Sequence, residues 1–336
     1  MEINKISAII VTFNRSKLLK ECLYAVINQT CLPDAIYLVD NASSDDTVEM
    51  LLREGFLNTF VITDLYEHEN TIIINDKRLK FFYLRLNENI GGAGGFHEGL
   101  KRAYEKGYEW FWLMDDDAEP YKDCLERVIV AAKDLDNIFA FSSLKVNTLN
   151  EVEYWHRGWI DMCSTTIGMI RYVNENDLNS NRYIKIEHSS FVGFIISRLV
   201  VEKIGLPNKD FFLHYDDFEY CLRLKNKYDI CLVKESIILH KDIAKKDLIK
   251  IRKSMRKPYS ALWLWYYGIR NLVYLKYRYC NFRVKIYIIF WILRKILGII
   301  FYDDHKLRRI LFYCNAYFDG VKGIFDNKKP KKILYG

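Results

Sequence analysis

Trp110-Phe111-Trp112-Leu113-Met114-Asp115-Asp116-Asp117-Ala118-Glu119-Pro120 is an apolar, aromatic run that stops on three consecutive carboxylates. Such a run reads as a buried strand, and its end at a proline places the aspartates at the carboxyl edge of a sheet. That edge is where open α/β sheets bind ligands. Side chains alternate along an extended chain, so Asp115 and Asp117 are expected to project one way, about 6 to 7 Å apart, and Asp116 the other. Two oxygen donors on one side suit a hard divalent cation, Mg²⁺ or Mn²⁺, with positions left for phosphate oxygens. A solvated acidic turn capping the next helix is the plainer reading.

Working outward, Ile6 to Asn14 reads as a β-branched buried strand. Arg15 to Gln29 follows as a crossover helix, with Leu18, Leu19, Cys22, Leu23, Val26 and Ile27 at helical spacing. The turn between them has no glycine, so the G-x-G-x-x-G fingerprint of a Rossmann dehydrogenase is missing. Ile36 to Asn41 is a second strand ending in an acid, and Ser43 to Thr47 caps a helix over Val48 to Glu54. Asp40 is placed to meet a base or ribose, or is a turn residue. Residues 60–80 carry at most a short extra strand, at Thr71 to Ile74. Phe81 to Leu86 is the third strand, followed by Gly91, Gly92, Gly94 and Gly95. Those glycines permit close approach of backbone to a ligand, and the helix from there to about Lys106 turns its positive end toward a phosphate. A flexible loop is the alternative. A helix over Tyr121 to Asp134 follows the acidic strand.

Beyond Phe139 the alternation is lost, and Phe139 to Val146 and Glu151 to Ile160 read as strands or loops of a mixed sheet. Trp155, His156 and Trp159 form either a sugar-stacking platform or core. Ser189 to Ser197 reads as a strand in which Gly193 lets a ligand come close. Phe211 to Tyr220 places a second acid pair, Asp216-Asp217, at the start of a helix running to about Lys227. The helix dipole keeps such carboxylates ionised, so either can serve as a base or simply cap the helix. His240, closing the strand Ile237-Ile238-Leu239, is structural or a third metal ligand.

The net charge of +7 is unevenly distributed. From Lys241 onward there are 23 Lys/Arg against 6 Asp/Glu, about +17, leaving about −10 for residues 1–240. Eight cysteines (22, 31, 124, 163, 221, 231, 280 and 314), with no Cys-x-x-Cys pair, argue for reduced thiols in a cytosol. The start, Met1-Glu2-Ile3-Asn4-Lys5, lacks a signal peptide's basic region and apolar core. The longest uncharged tail stretches, Pro258 to Ile269 and Ile286 to Leu293, fall short of the roughly 18 residues a membrane span needs.

Six motifs in order, VTFNR, VDNASSDDT, NIGGAGGF, LMDDDAEP, FLHYDDFEYCLRL and LHK, together resemble the inverting glycosyltransferases of family 2, with the GT-A fold, over residues 6–242. The likeness is greatest to the galactofuranosyl- and rhamnosyltransferase branch. It implies an α/β, Rossmann-like catalytic domain with a mixed central sheet over 1–245, and a mainly helical region over 246–336. It implies further that Thr12, Asn14, Arg15, Asp40, Asn41 and Asn89, with Gly92, Asp115 and Asp116, line the nucleotide-sugar. Asp115 and Asp117 would hold the metal and diphosphate, and His240 would complete the metal site. Asp217 would deprotonate the acceptor hydroxyl. Many members carry Glu-Asp where this chain has Asp216-Asp217, so Asp216 stands beside it as a candidate. Trp155, His156, Gly193 and His214 are assigned to the acceptor side.

The resemblance favours galactofuranose from UDP-galactofuranose, with dTDP-rhamnose as the alternative donor, for surface-polysaccharide synthesis on a lipid-linked or saccharide acceptor. The rival classes are a nucleotidyltransferase, which would need a basic Gly-rich loop after the first strand, and a sugar-binding protein without catalysis. After about residue 245 the likeness weakens, apart from Tyr266-Tyr267-Gly268-Ile269-Arg270-Asn271 and Phe318 to Gly323. The tail threads Arg and Lys through aromatic helices too short to span. It therefore suits an anionic membrane interface at the inner face of the cell membrane, with a helical domain packed on the core, or a homo-oligomer contact, as the alternatives. Nucleic acid fits the same charge less well, since the basic residues do not form a hydrophilic arm.

Overall fold

The computed structural model describes residues 3–60, 65–162, 168–241 and 259–336. The first half runs β1 (Ile6–Thr12), α1 (Ser16–Ile27), β2 (Ala35–Asp40), α2 (Thr47–Arg53), β3 (Tyr66–Ile74), β4 (Lys77–Arg85), α3 (Gly91–Glu105), β5 (Trp110–Asp115), β6 (Ala118–Pro120) and α4 (Cys124–Asp134). There follow β7 (Ala140–Val146), β8 (Arg157–Ile160), β9 (Ile170–Tyr172), α5 (Glu175–Ser180), β10 (Tyr183–Ile186), β11 (His188–Ser189), β12 (Phe194–Ser197), α6 (Arg198–Ile204), α7 (Asp216–Leu224) and β13 (Ile230–His240). The chain ends in four helices, α8 (Trp263–Tyr279), α9 (Phe282–Tyr302), α10 (Lys306–Lys322) and α11 (Lys329–Tyr335).

β1 and β2 are buried at every residue, as central strands of a helix-covered sheet must be. The main sheet runs β10-β13-β7-β12-β5-β1-β2-β4-β3, with β6 beside β13. β1 pairs parallel with β2 and β5, whereas β12 enters antiparallel between β5 and β7, so the sheet is mixed. In this register Thr12 lies opposite Asp40 and Val11 opposite Asp115, which gathers the ends of three strands at one edge. β11, β8 and β9 form a second, antiparallel sheet.

Three local expectations change. The extra strand is nine residues, not four, and pairs antiparallel with β4 through a turn at Asn75-Asp76. As an edge strand it alternates half-buried and exposed residues, which dilutes its apolar signal with Glu67 and Glu69. The stretch Ser189 to Ser197 breaks at Gly193, whose φ of 74° separates β11 from β12. The glycine run forms the first turns of α3, the helix expected to start there. Its work is largely close packing: a Cβ at Gly95 would stand 2.5 Å from Val11 Cγ1, and one at Gly99 would stand 2.7 Å from Ile9 Cγ2. Gly99→Val is therefore expected to destabilise the protein by about 1 to 3 kcal/mol through overpacking. Gly298→Ala, where a Cβ meets nothing within 4 Å, should be neutral or stabilising. Equal urea midpoints for the two variants would contradict this packing account.

α8 lies between two apolar clusters. Leu272 and Leu275 join the core that holds Phe211 and Phe218. Tyr266, Ile269 and Val273 pack with Ile288 and Ile292 of α9, Phe312 and Ala316 of α10, and Leu334 of α11. The first tail helix is thus built into the catalytic core rather than lying apart from it. The boundary expected at 245/246, Cys163 and the start of the uncharged stretch at Pro258 fall outside the described residues. Among the described residues no helix is long and apolar enough to cross a membrane.

Candidate functional site

β5 ends at Asp115, and Asp116 and Asp117 form a two-residue turn before β6. The turn, not continued strand alternation, separates the three carboxylates. Asp116 turns inward and staples β5 to β1, accepting from the Thr12 hydroxyl (2.7 Å), the Phe13 amide (3.4 Å) and Arg15 Nη1 (3.3 Å). Asp115, Asp117 and His240 converge, with one ligand atom from each lying within 4.8 Å of the others. β13, which ends at His240, pairs with β6, so the imidazole is delivered by sheet register.

The charges in this group are unequal. Burial, with Asp117 and Asp116 nearby, pushes the Asp115 carboxyl up to about 8. Burial also carries Asp116 up to about 6, against the pull of Arg15 and Thr12. Burial alone would raise Asp117 as well, but His240 at 3.0 Å and Arg15 at 2.8 Å outweigh it and hold it below the usual range. A carboxyl crowded by like charges gains most from a divalent cation. Two carboxylates and an imidazole fit Mn²⁺ or Mg²⁺ while leaving coordination positions for phosphate oxygens.

Around this group the expected nucleotide wall divides. Asn41 donates to Gly91 O (3.2 Å), and its Oδ1 is buried with no hydrogen-bond partner among the described residues. Asn89 accepts from Gly91 N (2.7 Å) and so starts α3, while Gly92 is the one of the four leading glycines whose Cβ position is open. Asn14, exposed and with φ of 55°, binds the Ser43-Ser44 turn. Asp40 departs from expectation. It is fully buried, and its carboxylate accepts from the Ser43 amide (2.7 Å) and the Tyr83 hydroxyl (2.6 Å), which makes it the organiser of that turn. Thr12 is likewise 1% exposed and committed to Asp116.

Asp216 and Asp217 open α7. Burial and Asp217 push Asp216 well up, with Asp115 adding to the effect, so the two acid groups feel each other. Asp217 is raised to about 6 by burial, while the Phe218 amide (2.6 Å) and the Arg157 charge pull it down. The segment leading into the pair is unusual: Phe212, His214 and Tyr215 all have φ between 64° and 68°. Such backbone costs about 1 to 3 kcal/mol per non-glycine residue and persists only where its surroundings over-determine it.

On the acceptor side, His156 lies beside the metal group, its ring 6.1 Å from that of His240 and 5.6 Å from that of Trp155. Trp159 is covered by the Arg171 guanidinium at 3.6 Å, which removes that face from the proposed platform. Gly193 does not open toward a ligand; a Cβ there would meet Ser143 at 3.1 Å. His214 is exposed and stacks on Trp265 of α8.

Two cations escaped sequence reasoning. Lys145, fully buried on β7, pairs with Glu153 (3.0 Å), lies 2.7 Å from His156 Nε2, and draws down both Asp115 and Asp217. Arg157, also buried, donates to the carbonyls of Ser143, His156 and Val192 and to the Ser190 hydroxyl. The available signal was a lysine inside an otherwise buried strand run, Ala140 to Val146.

A mixed sheet with an acidic carboxyl edge and a helical C-terminal region is the GT-A-like architecture of glycosyltransferases. The chain belongs to Glycosyl transferase family 2, whose profile matches residues 7–205. It is 23% identical over 228 residues to the galactofuranosyltransferase GlfT1 of Mycolicibacterium smegmatis, covering 65% of each chain. It is 32% identical over 110 residues to GlfT1 of Mycobacterium tuberculosis, covering 33% of this chain and 29% of that one. The chain thus spans less than two thirds of these relatives. Among solved structures, GalNAc-T7 with UDP, GalNAc and Mn²⁺ superposes with a TM-score of 0.58 at 13% identity, covering 97% of this chain and 58% of that one. S. aureus TarS superposes at 0.52 and 12% identity, over 99% and 83%. At such identities the likeness is one of fold.

Proposed function

We propose that the protein transfers galactofuranose, with inversion, from UDP-galactofuranose to a saccharide or lipid-linked acceptor in surface-polysaccharide synthesis. The observation that carries the chemistry is the Asp115, Asp117 and His240 group within electrostatic reach of a separate acid pair, Asp216-Asp217, at the start of α7. The sugar assignment rests on the GlfT1 relatives. A cation held by the first group would neutralise the charge that builds on the departing diphosphate. His240 and, after it, Arg15 hold the Asp117 carboxyl down against burial, which suits that task. Asp217, with the Phe218 amide on one oxygen, takes the proton from the attacking hydroxyl. One displacement then suffices, and no enzyme nucleophile is needed. A donor panel read by mass spectrometry, with and without EDTA, tests this. Transfer should occur from UDP-galactofuranose and stop on chelation; transfer only from dTDP-rhamnose would move the sugar assignment, and EDTA-resistant transfer would remove the metal.

We further propose that α9 and α10 rest on an anionic membrane surface. Phe290 (64% exposed), Leu293 (50%) and Leu297 (55%) form a stripe at helical spacing on α9, flanked by Arg283, Lys285, Arg294 and Lys295. Apolar area and basic charge together are what an interfacial helix requires, each cation adding about 1 kcal/mol near an anionic surface. Because α8 is built into the core, deleting everything after residue 257 would unfold the protein, and point variants are the proper test. The full chain should sediment with phosphatidylglycerol vesicles, less so at high salt. Combined Phe290→Ser, Leu293→Ser and Leu297→Ser should abolish sedimentation while leaving nucleotide binding intact. A salt-resistant dimer that ignores vesicles would instead mark this face as a self-contact.

A further inference from the structure

The positive-φ segment before Asp216 is held from both sides. On one side, Ala93 N donates to Phe212 O (3.2 Å), and Gly91, with φ of 79°, makes room for that carbonyl. On the other stands α8. The Asn271 amide donates to Phe211 O (3.0 Å), Leu213 O (3.1 Å) and His214 O (2.8 Å). Arg270 Nη2 donates to Asp210 O (3.2 Å) and Phe211 O (3.0 Å), while its Nε fixes Asn271 through Oδ1 at 3.0 Å. Tyr267 stacks on Phe212, with ring centroids 4.4 Å apart. Arg270 and Asn271 are both fully buried; the Asn271 amide and Arg270 Nη2 are spent on backbone carbonyls of the segment that delivers the acid pair, while Arg270 Nη1 donates to Asn327 Oδ1 at 2.9 Å.

We infer that Arg270 and Asn271 are positioning residues for Asp216-Asp217, which makes α8 part of the transfer site. The inference rests on the reading of that pair as the acceptor base. The carbonyls of Asp210, Phe211, Leu213 and His214 meet α8 in a stretch whose backbone adopts positive φ at Phe212 and His214. Those conformations are unfavourable by themselves and need these donors to persist. Release them, and the entry to α7 relaxes, moving both carboxyls away from the face of Asp115. The motif Tyr266 to Asn271 thereby acquires a role: Tyr267 holds the segment by stacking, and Arg270 and Asn271 hold it by hydrogen bonds.

The test uses the full chain with Mn²⁺ and UDP. Asn271→Asp keeps the shape but replaces donors with acceptors; Arg270→Lys and Asn271→Ser are milder and serve if it fails to fold. For a folded variant, UDP affinity and donor KM should stay within about twofold, while kcat falls about tenfold or more and its acid limb shifts. In an Asp217→Asn background, adding the Asn271 change should cost less than about threefold, because both act through one group. A folded variant with wild-type kcat and pH profile, or fully additive losses, would overturn the inference. Failure of the underlying reading looks different: Asp217→Asn and Asp216→Asn would each leave turnover intact, whatever Asn271 does.

Discussion

Asp117→Ala is expected to abolish sugar transfer and to remove the Mn²⁺ dependence of nucleotide binding. The residue accepts from Arg15 and pairs with His240, and it belongs to the Asp115, Asp117 and His240 group. Losing a group that merely supports a metal ligand typically costs about 10- to 100-fold in affinity, and a direct ligand should cost more. The substitution also leaves buried His240 without its carboxylate and Arg15 with Asp116 alone, so a modest loss of stability accompanies it. Calorimetric titration of UDP with and without Mn²⁺ measures the effect. Metal-dependent affinity that is unchanged in a folded variant would sink the assignment. Asp116→Asn is the contrast: it loosens the staple to Thr12 but leaves the metal group in place.

Asp217→Asn should lower kcat by roughly 100-fold or more while nucleotide and metal binding stay near wild type, because the amide keeps the shape but takes no proton. The pH profile supplies a second reading. Burial raises the carboxyl from 3.8 to about 6 in the folded chain, and a base works only when ionised. Turnover of the wild type should therefore fall as pH drops through about 6, and that limb should vanish in Asp217→Asn. Should Asp216→Asn lose turnover and Asp217→Asn keep it, the base is the preceding acid.

The central sheet was legible because its strands are buried on both faces: nothing but a helix-covered strand explains Ile6 to Thr12 or Trp110 to Asp115. That Asp115, Asp117 and His240 come together was also legible, since Asp115 and His240 each close an apolar strand and Asp117 lies two residues beyond the first. Asp116 is separated from the group by a turn rather than by strand alternation, and Arg15 reaches both it and Asp117. What escaped depends on partners remote in sequence. Gly91, Gly92, Gly94 and Gly95 read as room for a ligand at a helix start, yet Gly95 answers to the close packing of Val11, and Gly99 beyond them to that of Ile9. Asp40 read as a base or ribose contact or as a turn residue, and with Tyr83 and Ser43 on its oxygens it holds the turn. Lys145 and Arg157 are charged residues in the interior, and only tertiary pairing with Glu153 or with backbone carbonyls makes such burial tolerable. The tail read as a membrane-interface surface, a domain packed on the core or a self-contact; α8 packs on the core, and among the described tail residues α9 and α10 are the helices that expose long apolar stripes.

The central claim is that a cation and a diphosphate meet on Asp115, Asp117 and His240. Crystals grown with UDP and Mn²⁺, with diffraction recorded at the manganese absorption edge, test it most directly. The account predicts one strong anomalous peak touching an oxygen of Asp115, an oxygen of Asp117, a nitrogen of His240 and the diphosphate. Bound UDP with the manganese elsewhere, or with no peak at this group, would contradict it.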